Sequence, residues 1–452
     1  MLRKIVYNVL VNKAKDYKVL SVRNSALFIN GAKASESFVY VIPHIDFPEH
    51  IKSKQLIEDQ LVKRRVNIDL NKIENLWTIY EELKQRKSEY DKKKVEISSK
   101  LGKLIKSDPE GQEAKELKIK IDLIKDNIRK LKNPLWSAEE AAIVEVLKLP
   151  NVLHPQTPDV NQVVHTYLSP PTCKKDHLKI GSDLGIIDFK RNENYYLKGD
   201  GAIFELGAKF YFNSELRRYK FHQFSNPDFV KSVIVEGCGL DHTNPDATFI
   251  LHHNEDSKVN PDSRLHLTGG GSLPSFFAYY AKNVVYSKAL PLRFFSMGRQ
   301  YVPSPTEEDS LFHVSQSSVV QLFGATKNAE DLDIMLQELK DLLKSVYGEL
   351  GYHFRISILS ADKLFMWESL RVAVEMFSTS LNTYIEVANI SVSGDFISKR
   401  LMLTYVENKQ SNFPHIISGT LLNVPKFLAC VLEQDADFVL PEQFRVENWS
   451  TN

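Results

Sequence analysis

The residues with the clearest chemical signature are a glycine run and a histidine-rich segment. Thr268-Gly269-Gly270-Gly271-Ser272 has the glycine content of a phosphate-binding loop, but it lacks the lysine and hydroxyl pair of the P-loop motif. His252-His253-Asn254-Glu255-Asp256 holds several metal-ligand types, yet adjacent residues of a strand point to opposite faces and cannot converge on one ion without a second segment. We interpret the histidine-rich segment as a polar surface. A nucleotide loop at the glycine run remains the less favoured alternative.

Signatures of common hydrolases do not occur in the chain. There is no GxSxG or HExxH motif, and His242, His313 and His415 have no acid or nucleophile beside them in the sequence. The three cysteines are far apart and form no CxxC pair, which indicates a reducing compartment. We therefore expect no metal and no cofactor.

Composition places the chain among globular proteins of two or three domains, since it has 452 residues with 43% hydrophobic and 25% charged side chains. The net charge of +1 gives no global argument for nucleic-acid binding. Its distribution is uneven, because residues 81–132 contain 16 basic and 11 acidic side chains, a local excess of +5. Two interpretations stay open, a solvated coiled-coil surface or a surface that contacts phosphates.

Residues 73–132 predict the element that would present these charges. Apolar residues recur there at alternating three- and four-residue steps, interrupted by Lys87 and Lys94, then by the turn formers Asp108, Pro109 and Gly111, before the spacing restarts. Two apolar stripes joined by a short turn favour an antiparallel coiled-coil arm. At about 1.5 Å per residue, arms of roughly 30 residues would reach about 45 Å.

The remainder predicts an α+β domain. Short runs rich in β-branched and aromatic residues indicate strands, and they are 232–236, 248–252, 318–323, 354–359, 372–377 and 382–388. Amphipathic helices are expected at 207–223, 328–350 and 425–434. Because strands follow one another with few helices between them, an antiparallel sheet flanked by helices is favoured over a doubly wound fold.

Flanking segments complete this organisation. The first 35 residues contain seven basic residues and one acid, which is typical of a mitochondrial presequence or of a basic element at a domain edge. Three prolines between Pro150 and Pro158 predict an extended linker. No apolar run is long enough to span a bilayer, so no membrane insertion is expected.

Two segments carry a resemblance to a known family. DHLKIG at 176–181 and NTYIEVANISVSGDF at 382–396 follow the basic hairpin and a Leu-Pro-Asn-x-x-His-Pro hinge, in that order. Together they resemble seryl-tRNA synthetases, class II enzymes with the patterns DHxxLG and NTYREISSxSNxxDF, over most of residues 45–435. The resemblance implies a class II antiparallel sheet flanked by helices, and an N-terminal arm that grips the variable arm of a tRNA.

The chain departs from this family where ATP would bind. Arg299 stands at the arginine that holds the α-phosphate, but Tyr301 replaces a glutamate and His313 replaces a loop arginine. Ser317 stands where a phenylalanine would stack on adenine, and Gln321 stands at an acidic position. The resemblance therefore implies a weakened nucleotide site.

The third motif and the serine-binding loop also differ. Lys426 replaces the motif-three arginine and loses its bidentate fork. Thr268-Gly269-Gly270 replaces Thr-Ala-Glu and lacks the substrate-facing carboxylate, while the bulky Trp367 stands at a small residue. The resemblance implies a vestigial nucleotide and serine pocket formed by Thr268, Arg299, Glu375, Glu386, Ser391 and Lys426. The alternative interpretation of Glu375 and Glu386 is that they are ordinary half-buried acids of their strands without a role in a pocket.

Magnitudes favour a loss of catalysis. Removing one preorganised charge contact costs about 3–4 kcal/mol of transition-state stabilisation, and about five such positions are altered. The resemblance is closest to insect mitochondrial family members and implies a matrix protein without aminoacylation activity that forms a heterodimer with the mitochondrial seryl-tRNA synthetase. A quasi-isologous interface is expected near 226–236. The alternatives are an active but divergent serine-tRNA ligase or adenylating enzyme, and a protein-interaction scaffold that binds no RNA.

These inferences predict a presequence at 1–35, an N-terminal domain at 45–148 with the arm at 73–132, a linker at 149–175 and a degenerate catalytic domain at 176–452. The expected RNA is tRNA-Ser or another mitochondrial RNA. The arm residues predicted to contact it are Lys84, Arg86, Lys92, Lys93, Lys100, Lys103, Lys115, Lys118, Lys125, Arg129 and Lys130.

Overall fold

The computed structural model describes residues 25–29, 41–107, 111–191, 194–251, 264–304, 306, 308–434 and 437–445. The chain forms two compact units. The first contains residues 1–40, 46–58 and 67–149, and the second contains 41–45, 59–66 and 150–452. Most of the predicted presequence and the histidine-rich segment 252–256 lie outside the described residues.

The arm is built from two long helices. The helices at this end of the chain are α1 (Phe47–His50), α2 (Lys54–Lys63), α3 (Leu70–Ser107) and α4 (Gln112–Val146). Both arm helices extend beyond the predicted range of 73–132, because α3 begins at Leu70 and α4 continues through Pro134 to Val146. At about 1.5 Å per residue, the 38 residues of α3 measure about 57 Å.

Apolar packing and two polar contacts hold the arm helices antiparallel. The base of the hairpin buries Leu76, Leu83 and Leu131 in one cluster. Tyr80 Oη lies 3.3 Å from Glu139 Oε1, and Lys72 Nζ lies 3.1 Å from Glu145 Oε1. The coiled-coil hairpin predicted from the apolar spacing is therefore present.

The second unit contains all the strands of the described residues and the remaining helices. The strands are β1 (Gln162–Tyr167), β2 (Ile187–Arg191), β3 (Asn194–Leu197), β4 (His222–Gln223), β5 (Phe229–Lys231), β6 (Phe249–Leu251), β7 (Leu265–Leu267), β8 (Val284–Tyr286), β9 (Leu292–Tyr301), β10 (Gln316–Thr326), β11 (Phe354–Ile358), β12 (Leu370–Ser378), β13 (Thr383–Gly394), β14 (Thr404–Glu407), β15 (Gln410–Asn412) and β16 (His415–Asn423). The helices are α5 (His177–Asp183), α6 (Asp200–Arg218), α7 (Ser232–Gly237), α8 (Leu273–Tyr280), α9 (Ala329–Glu349), α10 (Phe396–Leu401) and α11 (Val424–Gln434).

One eight-stranded sheet dominates this unit. Its order is β1-β11-β12-β13-β16-β10-β9-β4, and every neighbouring pair is antiparallel except β4 with β9. Small sheets β5-β7-β6, β15-β14-β8 and β2-β3 complete the unit. The predicted α+β class with an antiparallel sheet flanked by helices is confirmed.

The two faces of the large sheet differ in chemistry because side chains alternate along a strand. On β12, Val372, Val374 and Met376 are fully buried in the core that α9 and α11 cover. The intervening Arg371 and Glu375 lie on the opposite face, which we call the polar face. This face carries Glu375, Glu386 and Ser391 of the predicted pocket.

Some local predictions were wrong. Ser232–Gly237, predicted as a strand, is helix α7, in which Val233, Ile234 and Val235 are all buried. The helix predicted at 207–223 is α6, which begins at Asp200 and ends at Arg218. The predicted linker at 149–175 contains β1, an edge strand of the large sheet. No described helix is both long and apolar enough to cross a membrane.

Candidate active site

Of the predicted pocket residues, Glu375, Glu386 and Ser391 lie on the polar face, whereas Arg299 lies on the core side of the sheet, on the same face of its strand as Phe295 and Met297. Arg299 lies on β9, Glu375 on β12, and Glu386 and Ser391 on β13. Lys426 lies in the first turn of α11, directly after β16, and Thr268 directly follows β7. Several of these side chains already form hydrogen bonds or ion pairs with other side chains of the same unit.

Arg299 is tethered by groups of its own chain. Its Nη1 donates to Tyr195 Oη at 3.1 Å, and its Nη2 lies 3.6 Å from Glu205 Oε1. Burial opposes ionisation of Glu205, but the hydroxyl of Ser318 and the charge of Arg299 hold the pKa of its carboxyl below the usual value. Burial raises the pKa of Tyr195 to about 12, so the phenol stays neutral. The arginine expected to hold an α-phosphate is thus paired with an anion already.

The glycine run uses its backbone donors internally. Gly270 N donates to Asp228 Oδ1 at 2.7 Å, Gly269 N donates to the Asp228 carbonyl, and Gly271 N donates to the Arg299 carbonyl at 2.9 Å. A phosphate cradle needs free amide groups that point at the ligand. These three amides are occupied, which supports the structural interpretation of the run.

Steric crowding explains why the run consists of glycine. Gly269 has φ of +87°, and a Cβ there would lie 2.1 Å from the Arg299 carbonyl oxygen. A Cβ on Gly270 would lie 2.8 Å from the Asn226 carbonyl oxygen, and one on Gly271 would lie 2.4 Å from Val319 Cγ2. The loop therefore packs directly on the backbone of β9 and has no room for the Ala-Glu pair of the family.

Glu386 is held by Arg371, a residue that the sequence analysis did not single out. Arg371 Nε donates to Glu386 Oε2 at 3.1 Å and its Nη2 donates to Oε1, while Asn389 Nδ2 donates to Oε1 at 2.9 Å. Burial favours the neutral acid, but the charge and hydrogen bonds of Arg371 keep the pKa of Glu386 below its usual value. Both carboxylate oxygens are therefore engaged.

The same guanidinium reaches a second buried carboxylate. Arg371 Nη1 donates to Glu368 Oε1 at 2.9 Å, and Ser391 Oγ donates to that oxygen as well. Glu368 is 1% exposed. On the next strand, Arg355 Nε donates to Glu375 Oε2 at 2.8 Å, and Ser357 Oγ donates to the same oxygen at 2.6 Å. Glu375 and Glu386 are thus paired acids rather than free ligands.

Lys426 and His313 lie near each other at the edge of this network. Burial lowers the pKa of Lys426, and the nearby Glu386 partly offsets it. Burial and the charge of Lys426 lower the pKa of His313. The two residues expected at family arginine positions therefore lie close together, and burial disfavours the charged form of both.

A divalent cation does not fit the carboxylates of the polar face. Magnesium and manganese require open oxygen ligands at about 2.0–2.2 Å, whereas both oxygens of Glu386 accept hydrogen bonds from Arg371. Among the described residues, no group of three or more histidine, cysteine or acidic side chains is arranged to hold a metal ion. No chemistry that depends on a metal is derived for this site.

The remaining sequence-predicted positions have structural contacts. Gln321 Oε1 accepts from Thr420 Oγ1 at 2.9 Å. Ser317 is buried, and Trp367 stacks on Phe365 with ring centroids 4.7 Å apart. Arg371, Tyr195 and Glu205 were missed because only their neighbours on other elements reveal their roles. The one available signal was an arginine within a strand otherwise rich in buried apolar residues.

The basic arm residues divide into two groups. Lys84, Lys100, Lys125, Arg129 and Lys130 each form an ion pair with an acid on their own helix. Within the described part of the chain, Lys92, Lys93, Lys103 and Lys118 are exposed and form no ion pair. A groove of about 790 Å³ along α3 is lined by both Lys84 and Lys92.

Comparisons with known proteins agree with this architecture. Residues 265–435 match the family described as tRNA synthetase class II core domain (G, H, P, S and T). The serine–tRNA synthetase-like protein Slimp of Drosophila melanogaster is 30% identical over 430 residues, covering 92% of this chain and 90% of that protein. The mitochondrial serine–tRNA ligase of Mus musculus is 29% identical over 330 residues, covering 68% of this chain and 62% of that protein.

Solved structures show the same fold. Seryl-tRNA synthetase from Pyrococcus horikoshii, crystallised with ATP, superposes with a TM-score of 0.76 at 17% identity and covers 88% of this chain and 97% of that chain. The cytoplasmic serine–tRNA ligase of Naegleria fowleri, in complex with AMP, gives a TM-score of 0.72 at 16% identity and covers 87% and 94%. Because the Drosophila protein is 30% identical over 92% of this chain, the chain belongs to the seryl-tRNA synthetase family.

Proposed function

We propose that this chain is a non-catalytic paralogue of seryl-tRNA synthetase, a mitochondrial partner of the active enzyme that binds RNA through its arm. The observation that carries this proposal is the loop at Thr268–Gly271. A serine substrate presents an ammonium group, and its recognition needs a carboxylate in the pocket. This loop supplies none, and a Cβ at Gly270, the position of the family glutamate, would lie 2.8 Å from the Asn226 carbonyl oxygen.

Further changes act on the same reaction. Arg299 is paired with Glu205, Ser317 offers no ring for adenine, and Lys426 cannot reproduce a bidentate guanidinium contact. Removing one charge contact costs about 3–4 kcal/mol, so even partial losses at several positions would reduce adenylate formation below detection. The enzymatic alternative is favoured only by Arg299 and Lys426, two basic residues to which the family resemblance assigns phosphate contacts.

The mitochondrial partnership is supported by relatives and by the N-terminal composition. Relatives include mitochondrial serine–tRNA ligases, and a shared fold offers a similar interface to an active copy. The first 24 residues contain most of the basic residues of the predicted presequence. Ser25–Phe28 are buried, so we propose that a cleaved leader ends before Ser25 rather than at residue 35.

Serine-dependent exchange of pyrophosphate into ATP tests the catalytic part of the proposal. We expect no exchange above background from the purified chain, whereas a mitochondrial seryl-tRNA synthetase assayed in parallel exchanges readily. Exchange that is abolished by Arg299→Ala would show a divergent active enzyme. Arg293→Ala is the matched control, since Arg293 lies on the same strand and pairs with Glu338 away from the polar face.

Copurification from mitochondria tests the partnership. We expect a stoichiometric mitochondrial seryl-tRNA synthetase together with RNA. A stable homodimer without the synthetase contradicts the heterodimer. A protein complex without RNA would instead identify the chain as a scaffold.

A further inference from the structure

One guanidinium joins two carboxylates on the polar face. Arg371 bridges Glu368 Oε1, at 2.9 Å from Nη1, and both oxygens of Glu386. The side chain of Glu368 is 1% exposed and that of Arg371 is 12% exposed. This arrangement places one guanidinium between two carboxylates, of which Glu368 is buried and Glu386 is 27% exposed.

Each of the two carboxylates also accepts a hydrogen bond from a neutral side chain. Ser391 Oγ contacts Glu368, and Asn389 Nδ2 contacts Glu386 at 2.9 Å. Without a positive charge, two carboxylates that contact the same guanidinium would repel each other. One of them would then take up a proton. A cation is therefore required here, and Arg371 is the group that supplies it.

Arginine suits this position better than a mobile ion. Its planar fork donates along several directions at once, and its charge persists at all physiological pH values. Burial opposes the charged form, but the carboxylates of Glu386 and Glu368 more than offset it and raise the pKa of Arg371 above the usual value. The guanidinium is thus held permanently, whereas a bound ion would exchange with solvent.

We propose that Arg371 is a built-in cation that occupies the place of a divalent metal ion between Glu368 and Glu386. This inference rests on the proposed non-catalytic function and explains how the polar face stays folded without metal or substrate. The face accordingly binds neither a divalent cation nor a substrate ammonium at Glu386.

Manganese binding to the full-length chain tests this proposal, with free Mn²⁺ measured by electron paramagnetic resonance. The wild type and Glu386→Gln should bind Mn²⁺ equally weakly. Arg371→Met should bind it roughly tenfold tighter or more, because two carboxylates and nearby oxygen atoms become available. The gain should be lost in the double variant Arg371→Met/Glu386→Gln.

Two further variants keep the test decisive. Arg293→Met removes an arginine paired with Glu338 elsewhere in the unit and should leave Mn²⁺ binding unchanged. If Arg371→Met does not fold, Arg371→Gln decides, because glutamine removes the positive charge but keeps a hydrogen-bond donor for the carboxylates. A smaller gain in Mn²⁺ affinity is then expected.

The outcomes separate this inference from the proposed function. Tight Mn²⁺ binding by the wild type that Glu386→Gln abolishes would overturn the built-in cation, even if the chain is inactive. The absence of a gain in the folded Arg371 variants would overturn it as well, as would a gain that survives Glu386→Gln. Serine-dependent pyrophosphate exchange by the wild type would instead overturn the non-catalytic function.

Discussion

His177 Nδ1 and Glu433 Oε1 lie 2.7 Å apart, although 256 residues separate them in the chain. The two side chains are 4% and 0% exposed, so this pair is buried. Glu433 also accepts from Ser378 Oγ at 2.7 Å and Ser380 Oγ at 2.6 Å. Burial opposes its ionisation, but the hydrogen bonds of His177 and the serines hold the pKa of Glu433 below the usual value. His177, the histidine of the DHLKIG segment, therefore connects α5 to α11 through its hydrogen bond with Glu433.

Glu433→Ala should lower the free energy of unfolding by about 3 kcal/mol or more, because His177 Nδ1 and the hydroxyls of Ser378 and Ser380 would each lose their acceptor. Urea denaturation followed by circular dichroism measures the change. Ser380→Ala is the control and should cost only about 1–2 kcal/mol, since it removes hydrogen bonds but no charge. Equal losses for both variants would argue against a structural role for the pair.

Stability should fall between pH 6.5 and about 4 because of His266. Burial, His242 and Arg264 lower the pKa of His266 to about 4, whereas an unfolded histidine titrates near 6.5. Below pH 6.5 the unfolded state takes up a proton that the folded state resists, so unfolding becomes easier by about 2–3 kcal/mol at pH 4. Urea midpoints across this range measure the effect.

His266→Gln is the matched variant for the pH experiment, since glutamine does not titrate and can still bond the hydroxyl of Ser232, which lies 2.9 Å from His266 Nε2. Its stability should be nearly constant between pH 6.5 and 5. A slope as steep as that of the wild type would assign the pH dependence to another group.

Gly269→Ala should destabilise the chain by about 3 kcal/mol or more. The position combines φ of +87° with a Cβ contact of 2.1 Å to the Arg299 carbonyl. Gly185→Ala isolates the backbone cost alone, because Gly185 has φ of +68° and nothing within 4 Å of its Cβ position, and it should cost about 1 kcal/mol. Thermal and urea unfolding of both variants test the difference, and similar values would show that the loop can relax.

Charge reversal on the arm should distinguish its two groups of basic residues. Replacing Lys92, Lys93, Lys103 and Lys118 by glutamate should weaken RNA binding. The slope of log binding constant against log salt concentration should become shallower by about one for each phosphate that the arm no longer neutralises. Replacing Lys84, Lys125, Arg129 and Lys130 should have a smaller effect, because these cations already pair with acids on their helices. Fluorescence anisotropy with labelled RNA at several salt concentrations measures both. If neither set of substitutions changes the RNA affinity, the arm is excluded as the binding surface.

Local sequence patterns predicted the long and strongly periodic elements. The arm helices, α9 and α11 each repeat apolar residues at helical spacing over many turns, so the pattern outweighs any single residue. Segment 232–236 shows the opposite case. Its β-branched residues favour a strand by propensity, but they form one buried turn and a half of helix α7, a length over which periodicity carries little information.

The sequence by itself determined the fold class and the antiparallel arm, because both follow from residue types and their local order. Only the tertiary structure decided how the surviving charges are used. Arg371 and Glu386 lie on adjacent strands, and their contact depends on a register that a one-residue slip would destroy. Tyr195 and Glu205 meet Arg299 through packing of β3 and α6 against β9, contacts made across roughly a hundred residues of chain. Such pairings depend on long-range geometry, which no local pattern encodes.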